Sequence, residues 1–198
     1  MTAISLPAAP AFVRARQAYR SARKTFRSPL TGKVQVLSRP ADYWAFEFDT
    51  PPMRGDTARV WISRLVQAAG ATVRVAWPQI DFDAGSPGSP TVNGAGLTGE
   101  TLPVTGATAG YVVKEGQFLS FLNGSGRYEL KMCTADTTLT AGAGSIPIRP
   151  AIRSSPANGV AVQLSAPIVE GILTNDAQEW EWTGEKPYAF TISIEGVE

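Results

Sequence analysis

The sequence predicts a mainly β protein with one amphipathic helix, arranged as a discontinuous β-sandwich-like sheet-plus-helix domain with an inserted small antiparallel β-barrel or sandwich unit. Three observations carry this expectation. Short alternating segments recur between turns, and Gly 19 and Pro 15 within 198 residues supply the turn chemistry. Only one stretch, residues 58–69, has the apolar spacing of a helix. At residues 84–110 charge gives way to glycine and proline, after which short strands continue at regular spacing.

Composition narrows the functional classes. The charged fraction is 18%, against the usual ~25%, and the hydrophobic fraction is 43%. A mean hydropathy of −0.05 suits neither a disordered chain nor a membrane protein. No run approaches the ~18 apolar residues that would span a bilayer. The single Cys133 excludes an intrachain disulfide and a cysteine-cluster metal site. With no histidine, every His-dependent triad and dyad is excluded. The expectation is a structural or binding protein, not an enzyme, with no cofactor and no metal.

Charge is unevenly distributed. Residues 1–41 carry eight basic side chains and no acid, whereas residues 42–198 carry ten basic and seventeen acidic ones. Residues 1–25 are expected to form a basic arm, extended over 1–10. In residues 11–27 Phe12, Tyr19 and Phe26 recur at seven-residue intervals, close to two helical turns. An acid-free Arg-rich start is also the pattern of a transit peptide, but this one runs into a turn and a strand. Its arginines suit a surface that meets an acidic partner or phosphate.

Ser28-Pro29-Leu30-Thr31-Gly32 is turn chemistry, and residues 33–38 alternate as a half-buried strand. Residues 42–50 alternate Trp44, Phe46 and Phe48 against Tyr43, Ala45 and Glu47, a strand with one bulky buried face. The helix follows, with Ala58, Trp61, Ile62, Leu65, Val66 and Ala69 as its stripe, Asp56 as its cap and Gly70 as its stop. Residues 72–77 form the next strand. Further strands are expected near 91–92 and 101–104, then at 111–114, 117–122, 128–133, 145–148 and 159–164. Two last alternating strands, 179–183 and 188–194, are joined by a hairpin at 184–187.

No motif for chemistry stands out. Asp81 and Asp83 share a face of an extended segment, but no further oxygen ligand follows, so they mark a polar strand end. Glu179 and Glu181 alternate with Trp180 and Trp182, a pattern that a half-buried strand produces as readily as a sugar-gripping ladder. Gly94, Gly96 and Gly99 spell G-x-G-x-x-G without the strand and helix that would make it a phosphate loop. Cys133 is expected partly buried and inert, and Lys114, Lys131 and Lys186 belong to no motif.

The order of several segments resembles the distal tail and minor tail proteins of long-tailed (siphovirus-like) bacteriophages and phage-like gene transfer particles. The residues that carry it are SPLTGKVQVLSRPADYWAFEFDTPPMR (28–54), the helix with Trp61, TVRVAWP (72–78), EGQFLSF (115–121), YELKMCTADTTLTAGAGSIPIRPAIRSSPANGVAV (128–162) and FTISIEGVE (190–198). The resemblance covers most of residues 26–198, and its specificity lies in the ordered set.

That resemblance implies a virion structural protein of the tail tip or baseplate, assembled in the host cytoplasm. It implies a homo-oligomeric ring, commonly a hexamer, contacting tail tube protein, hub and fibre proteins. It also implies that residues 26–80 and 166–198 form one ring-forming domain and 81–165 an inserted β domain. A ring needs two complementary patches per subunit. Arg14, Arg16, Arg20, Arg23, Lys24 and Arg27 are the candidate assembly contacts, reaching an acidic neighbour or, as the alternative, DNA in the lumen. On this reading, removal of residues 1–27 leaves a folded protein that assembles poorly. The competing reading is a carbohydrate-binding β module with Trp180, Trp182, Tyr43 or Trp44 as stacking platforms.

Overall fold

The computed structural model describes residues 2–37, 41–174 and 188–197. In chain order its elements are β1 (Ala3–Ser5), β2 (Arg14–Arg20), β3 (Lys24–Arg27), β4 (Val34–Leu37), β5 (Tyr43–Asp49), α1 (Gly55–Ala68) and β6 (Thr72–Ala76). Then come β7 (Gly88–Val92), β8 (Gly99–Ala107), β9 (Tyr111–Val113), β10 (Phe118–Leu122), β11 (Tyr128–Cys133) and β12 (Thr137–Leu139). The last are β13 (Gly144–Ile152), β14 (Val162–Gln163), β15 (Ile168–Leu173) and β16 (Thr191–Gly196). The chain is mainly β, with one helix among the described residues, as its turn-rich composition predicts. The expected strand at 179–183 and its hairpin lie outside the described residues.

Two six-stranded sheets dominate. The first runs β1-β6-β15-β16-β5-β2 and the second β14-β10-β11-β13-β8-β7. In the second, Val92 N–H donates to Val160 O (2.8 Å) and Gly159 N–H to Val92 O (2.9 Å), and a bridge joins Thr91 to Ala161. The two edge strands therefore meet, and the sheet is nearly a closed barrel, which removes exposed strand edges.

The first core lies between α1 and the inward face of the first sheet. Trp44, Phe46 and Phe48 of β5 bury alternately, as the strand period requires. Ala58, Trp61, Leu65 and Ala68 of α1 meet them. The helix stripe is narrower than expected: Val66 is exposed, and Ala68, not Ala69, is buried. Asp56 does not cap the helix. The N-cap is Arg54 without a side-chain bond, and Asp56 sits in the first turn, where it favours the helix dipole and pairs with Arg59.

The N-terminal segment departs from the expected arm. β1 pairs in parallel with β6, and β2 runs antiparallel to β5 with Arg14 opposite Asp49 and Tyr19 opposite Trp44. Leu6 is buried, and Ala9 O accepts a bond from Trp61 Nε1 at 3.3 Å. The reason is period: in β2 the inward residues are Ala15, Gln17 and Tyr19, and the arginines occupy every outward position but one. The basic residues concealed a strand.

The two cores meet at an aromatic joint. Phe118 of β10 lies 5.0 Å from both Trp44 and Trp77, and Leu130 and Met132 of β11 also pack into the first core. The opposite face of β10 and β11, with Leu119, Phe121 and Cys133, belongs to the second core. Trp77→Ala should lower unfolding free energy by about 3–5 kcal/mol. Because one joint serves both cores, denaturant titration followed by tryptophan fluorescence and by circular dichroism should still show a single transition.

Candidate functional site

The six candidate cations fall into two groups. Arg14, Arg16 and Arg20 are exposed on the outer face of β2, the edge of the first sheet. Arg23 is exposed in the link, and Lys24 and Arg27 are exposed on β3. None of the six forms an ion pair with another described residue.

Around β2 the charge is mixed. Arg14 stands opposite Asp49 and Arg16 opposite Glu47, while Glu195 of β16 stands opposite Ala45 in the adjoining row. Arg16, Arg20, Glu47 and Glu195 line a shallow concavity of about 270 Å³ on this face. The opposed charge blocks of the sequence therefore lie partly side by side on one sheet.

The hairpin of β3 and β4 is different. Its register pairs Lys24 with Leu37, Thr25 with Val36, Phe26 with Gln35 and Arg27 with Val34. The turn is closed by Ser28 N–H on Lys33 O (2.9 Å) and Gly32 N–H on Ser28 O (3.0 Å), with Gly32 at φ 67, a left-handed position suited to glycine. Every residue of both strands is exposed, against the half-buried strand expected at 33–38. Phe26 is 52% exposed, Val34 53% and Val36 57%. Phe26 lies on one face and Val34 and Val36 on the other, so neither face is polar. Leu30 at the tip is 94% exposed.

The base of the hairpin is tied down by Asp42. Its carboxylate accepts from Tyr19 OH at 2.6 Å and from Ala22 N–H at 2.7 Å. Burial, then the hydrogen bond to Asp42 and its negative charge, push the Tyr19 hydroxyl up to about 12. Burial also works against ionised Asp42, but the bonds from Tyr19 and Ala22 and the nearby Arg149 guanidinium outweigh it and hold the carboxyl below its usual range. The stability that Tyr19 contributes is complete below pH 10.0 and is lost as pH rises through about 12. That from Asp42 is complete above pH 3.8 and is lost as pH falls through its depressed value.

Other sequence candidates fall apart. Asp81 is exposed at a left-handed turn (φ 54), and Asp83 Oδ1 accepts from Gly85 N–H at 2.8 Å, so the two do not form a site. Gly94, Gly96 and Gly99 lie between or at the start of β7 and β8 with no helix beyond them. Cys133 is fully buried rather than partly so; burial pushes its thiol up, and its Sγ lies 3.0 Å from Ala135 O. Trp44 is only 8% exposed and offers no free ring face, and Trp180 and Trp182 lie outside the described residues. No group of potential metal ligands gathers among the described residues.

Sequence reasoning missed three buried charges: Glu129, Lys131 and Glu170. Glu170 accepts from Thr72 Oγ1 (2.7 Å), Arg74 Nε (2.7 Å) and Tyr128 N–H (3.0 Å), which links the two sheets. In the sequence, Glu129 and Lys131 alternate with Leu130 and Met132, the signature of a half-solvated strand. Here both faces of β11 are covered, so the signal misleads.

No family model matches the chain, and no curated protein matches it. A spectrophotometric alkaline titration should find Tyr19 ionising near pH 12. In Asp42→Asn the value should move only part way back toward 10.0, because burial is the larger cause.

Proposed function

We propose that the chain is a structural subunit of a phage tail tip, which forms a ring joining the tail tube to the baseplate hub and fibres. The observation that carries an assembly role is the β3–β4 hairpin. A two-stranded hairpin is marginal alone in water, and this one exposes apolar residues on both faces. Lys24 and Arg27 surround those residues with positive charge. Such a surface fits a groove on another protein subunit better than it fits phosphate, because Phe26, Val34 and Val36 would stay in water against DNA. The specific context, a virion tail, rests on the ordered segments that resemble the tail proteins.

In a cyclic assembly the hairpin of one subunit meets a different patch on the next, a heterologous contact that closes into a ring. The acid-rich remainder of the chain supplies the complementary sign. The partners are then a second copy of this chain, the tube protein, and the hub and fibre proteins; the role needs no catalysis.

The structure also changes how this reading is tested. Removing residues 1–27 would delete β1, β2 and β3 and strip Trp61 of its bond to Ala9 O, so loss of assembly could not be separated from misfolding. The better variant is Phe26→Ser with Val34→Ser and Val36→Ser, all exposed. Light scattering should give the wild type a mass several-fold above 21.0 kDa, alone or with added tube protein. The triple variant should remain monomeric with an unchanged circular dichroism spectrum. A wild type that stays monomeric in both conditions, or a variant that assembles equally well, would overturn the proposal.

A further inference from the structure

The first sheet carries an apolar groove of about 410 Å³ built on β1, β6 and β15. Leu6, Phe12, Val75 and Ile168 belong to its lining, with Ala76 and Ala166 exposed beside them. Arg74 is the charged residue of that lining, and its charge is already matched. Its Nε donates to Glu170 Oε2 at 2.7 Å, its Nη2 donates to Gly126 O at 3.0 Å, and the guanidinium stands over the Tyr128 ring. The groove therefore presents an apolar surface without net charge.

The tip of the β3–β4 hairpin matches it in polarity. Residues 28–32 carry no charge, and Leu30 stands almost wholly in water. The tip is also ordered in advance: Thr31 N–H donates to Ser28 Oγ at 3.3 Å, Gly32 N–H donates to Ser28 O, and Pro29 fixes its own φ. A segment held in this way loses little freedom on docking. Placement separates the two surfaces within one molecule. The groove lies on the β1 side of the sheet, whereas the hairpin follows β2, the opposite edge. Four steps of about 4.8 Å part β6 from β2, roughly 19 Å across the sheet. Two different patches on opposite edges are what a head-to-tail contact between identical subunits requires.

We propose that the hairpin tip of one copy, led by Leu30, seats in the β1–β6–β15 groove of the next copy. This inference rests on the ring reading above and names the receiving surface that the reading leaves open. Area decides the form of the assembly. A stable pair takes roughly 800 Å² and 20–30 residues from each partner, and residues 24–37 supply about half of that. One hairpin in one groove is therefore too small to hold two copies together. In a closed ring every subunit makes the contact twice, once through its hairpin and once through its groove, and the doubled area reaches the required size. Monomer and closed ring are then the populated species, and an isolated pair is not.

Site-directed cross-linking tests the contact, because the native Cys133 is buried. Full-length Leu30→Cys and Ala76→Cys chains are mixed in equal amounts, alone and with added tube protein, and oxidised mildly. Both substitutions lie at exposed positions. A disulfide-linked pair should form, and peptide mass mapping should place the link between position 30 of one chain and position 76 of the other. Leu30→Cys mixed with Val66→Cys, a cysteine on the exposed side of α1, should give at most a small fraction of that yield. Assembly by light scattering without a preferred 30–76 link is the result expected if the groove takes a segment of the tube protein or stays empty. It would overturn this inference and leave the ring reading standing. A chain that stays monomeric in both conditions would overturn the two together.

Discussion

The contact among Trp44, Trp77 and Phe118 decides how the rest of the molecule is arranged. The three rings lie 5.0 to 5.7 Å apart, two from the first sheet region and one from β10 of the second. Ring pairs at such spacing contribute about 0.5–1.5 kcal/mol each beyond the area they bury. The indole nitrogens of Trp44 and Trp77 find no hydrogen-bond partner among the described residues, at a cost of about 1–3 kcal/mol for each. Dense apolar packing is thus retained here despite two orphaned donors, and a joint packed this way is stiff.

Topology explains why the joint sits where it does. The chain leaves the first sheet after β6 and returns to it at β15, and these strands are antiparallel neighbours with Ala76 opposite Ile168. Trp77 N–H donates to Pro167 O at 2.8 Å, so the excursion begins and ends at one point. Gln79 fastens the neck, donating to Leu164 O at 2.8 Å and accepting from Phe118 N–H at 3.0 Å. An excursion whose ends lie on neighbouring strands leaves the β6–β15 ladder of the first sheet intact. Glu170 adds a polar tie, since its carboxylate joins Thr72 and Arg74 of β6 to the backbone of Tyr128 on β11. The Arg74 guanidinium also stands over the Tyr128 ring, 5.0 Å from its centre.

What the sequence disclosed follows from period. β5 was legible because Trp44, Phe46 and Phe48 alternate without interruption, and α1 because a 14-residue segment carries one apolar stripe. Strand β11 was legible in its bounds but not in its environment: alternation reveals two faces, not that the second face meets another core. Strand β2 was hidden for the opposite reason, since arginine at outward positions and small or polar residues at inward ones leave little contrast. The six cations were legible as a basic cluster. Their division into a mixed-charge sheet face and an unaccompanied hairpin depends on cross-strand register, which brings Glu47 and Asp49 beside Arg16 and Arg14 from far along the chain.

The contrast between interior and hairpin is the strongest physical argument for a partner. Inside, apart from the two orphaned indole nitrogens, the buried charges are engaged: Glu170 accepts from Thr72 and Arg74, Glu129 accepts from Asn123 and is ion-paired with Lys131, and Asn123 uses both ends of its amide. The second sheet closes on itself and leaves little free edge. Folding alone therefore accounts for these parts. It does not account for residues 24–37, where Phe26, Leu30, Val34 and Val36 remain in water and Lys24 and Arg27 have no ion-pair partner among the described residues. A chain that satisfies buried charge so closely elsewhere leaves in this hairpin an apolar surface that its own described residues do not cover, the surface the proposed assembly would bury, and Asp42 holds its base in place through Tyr19 and Ala22.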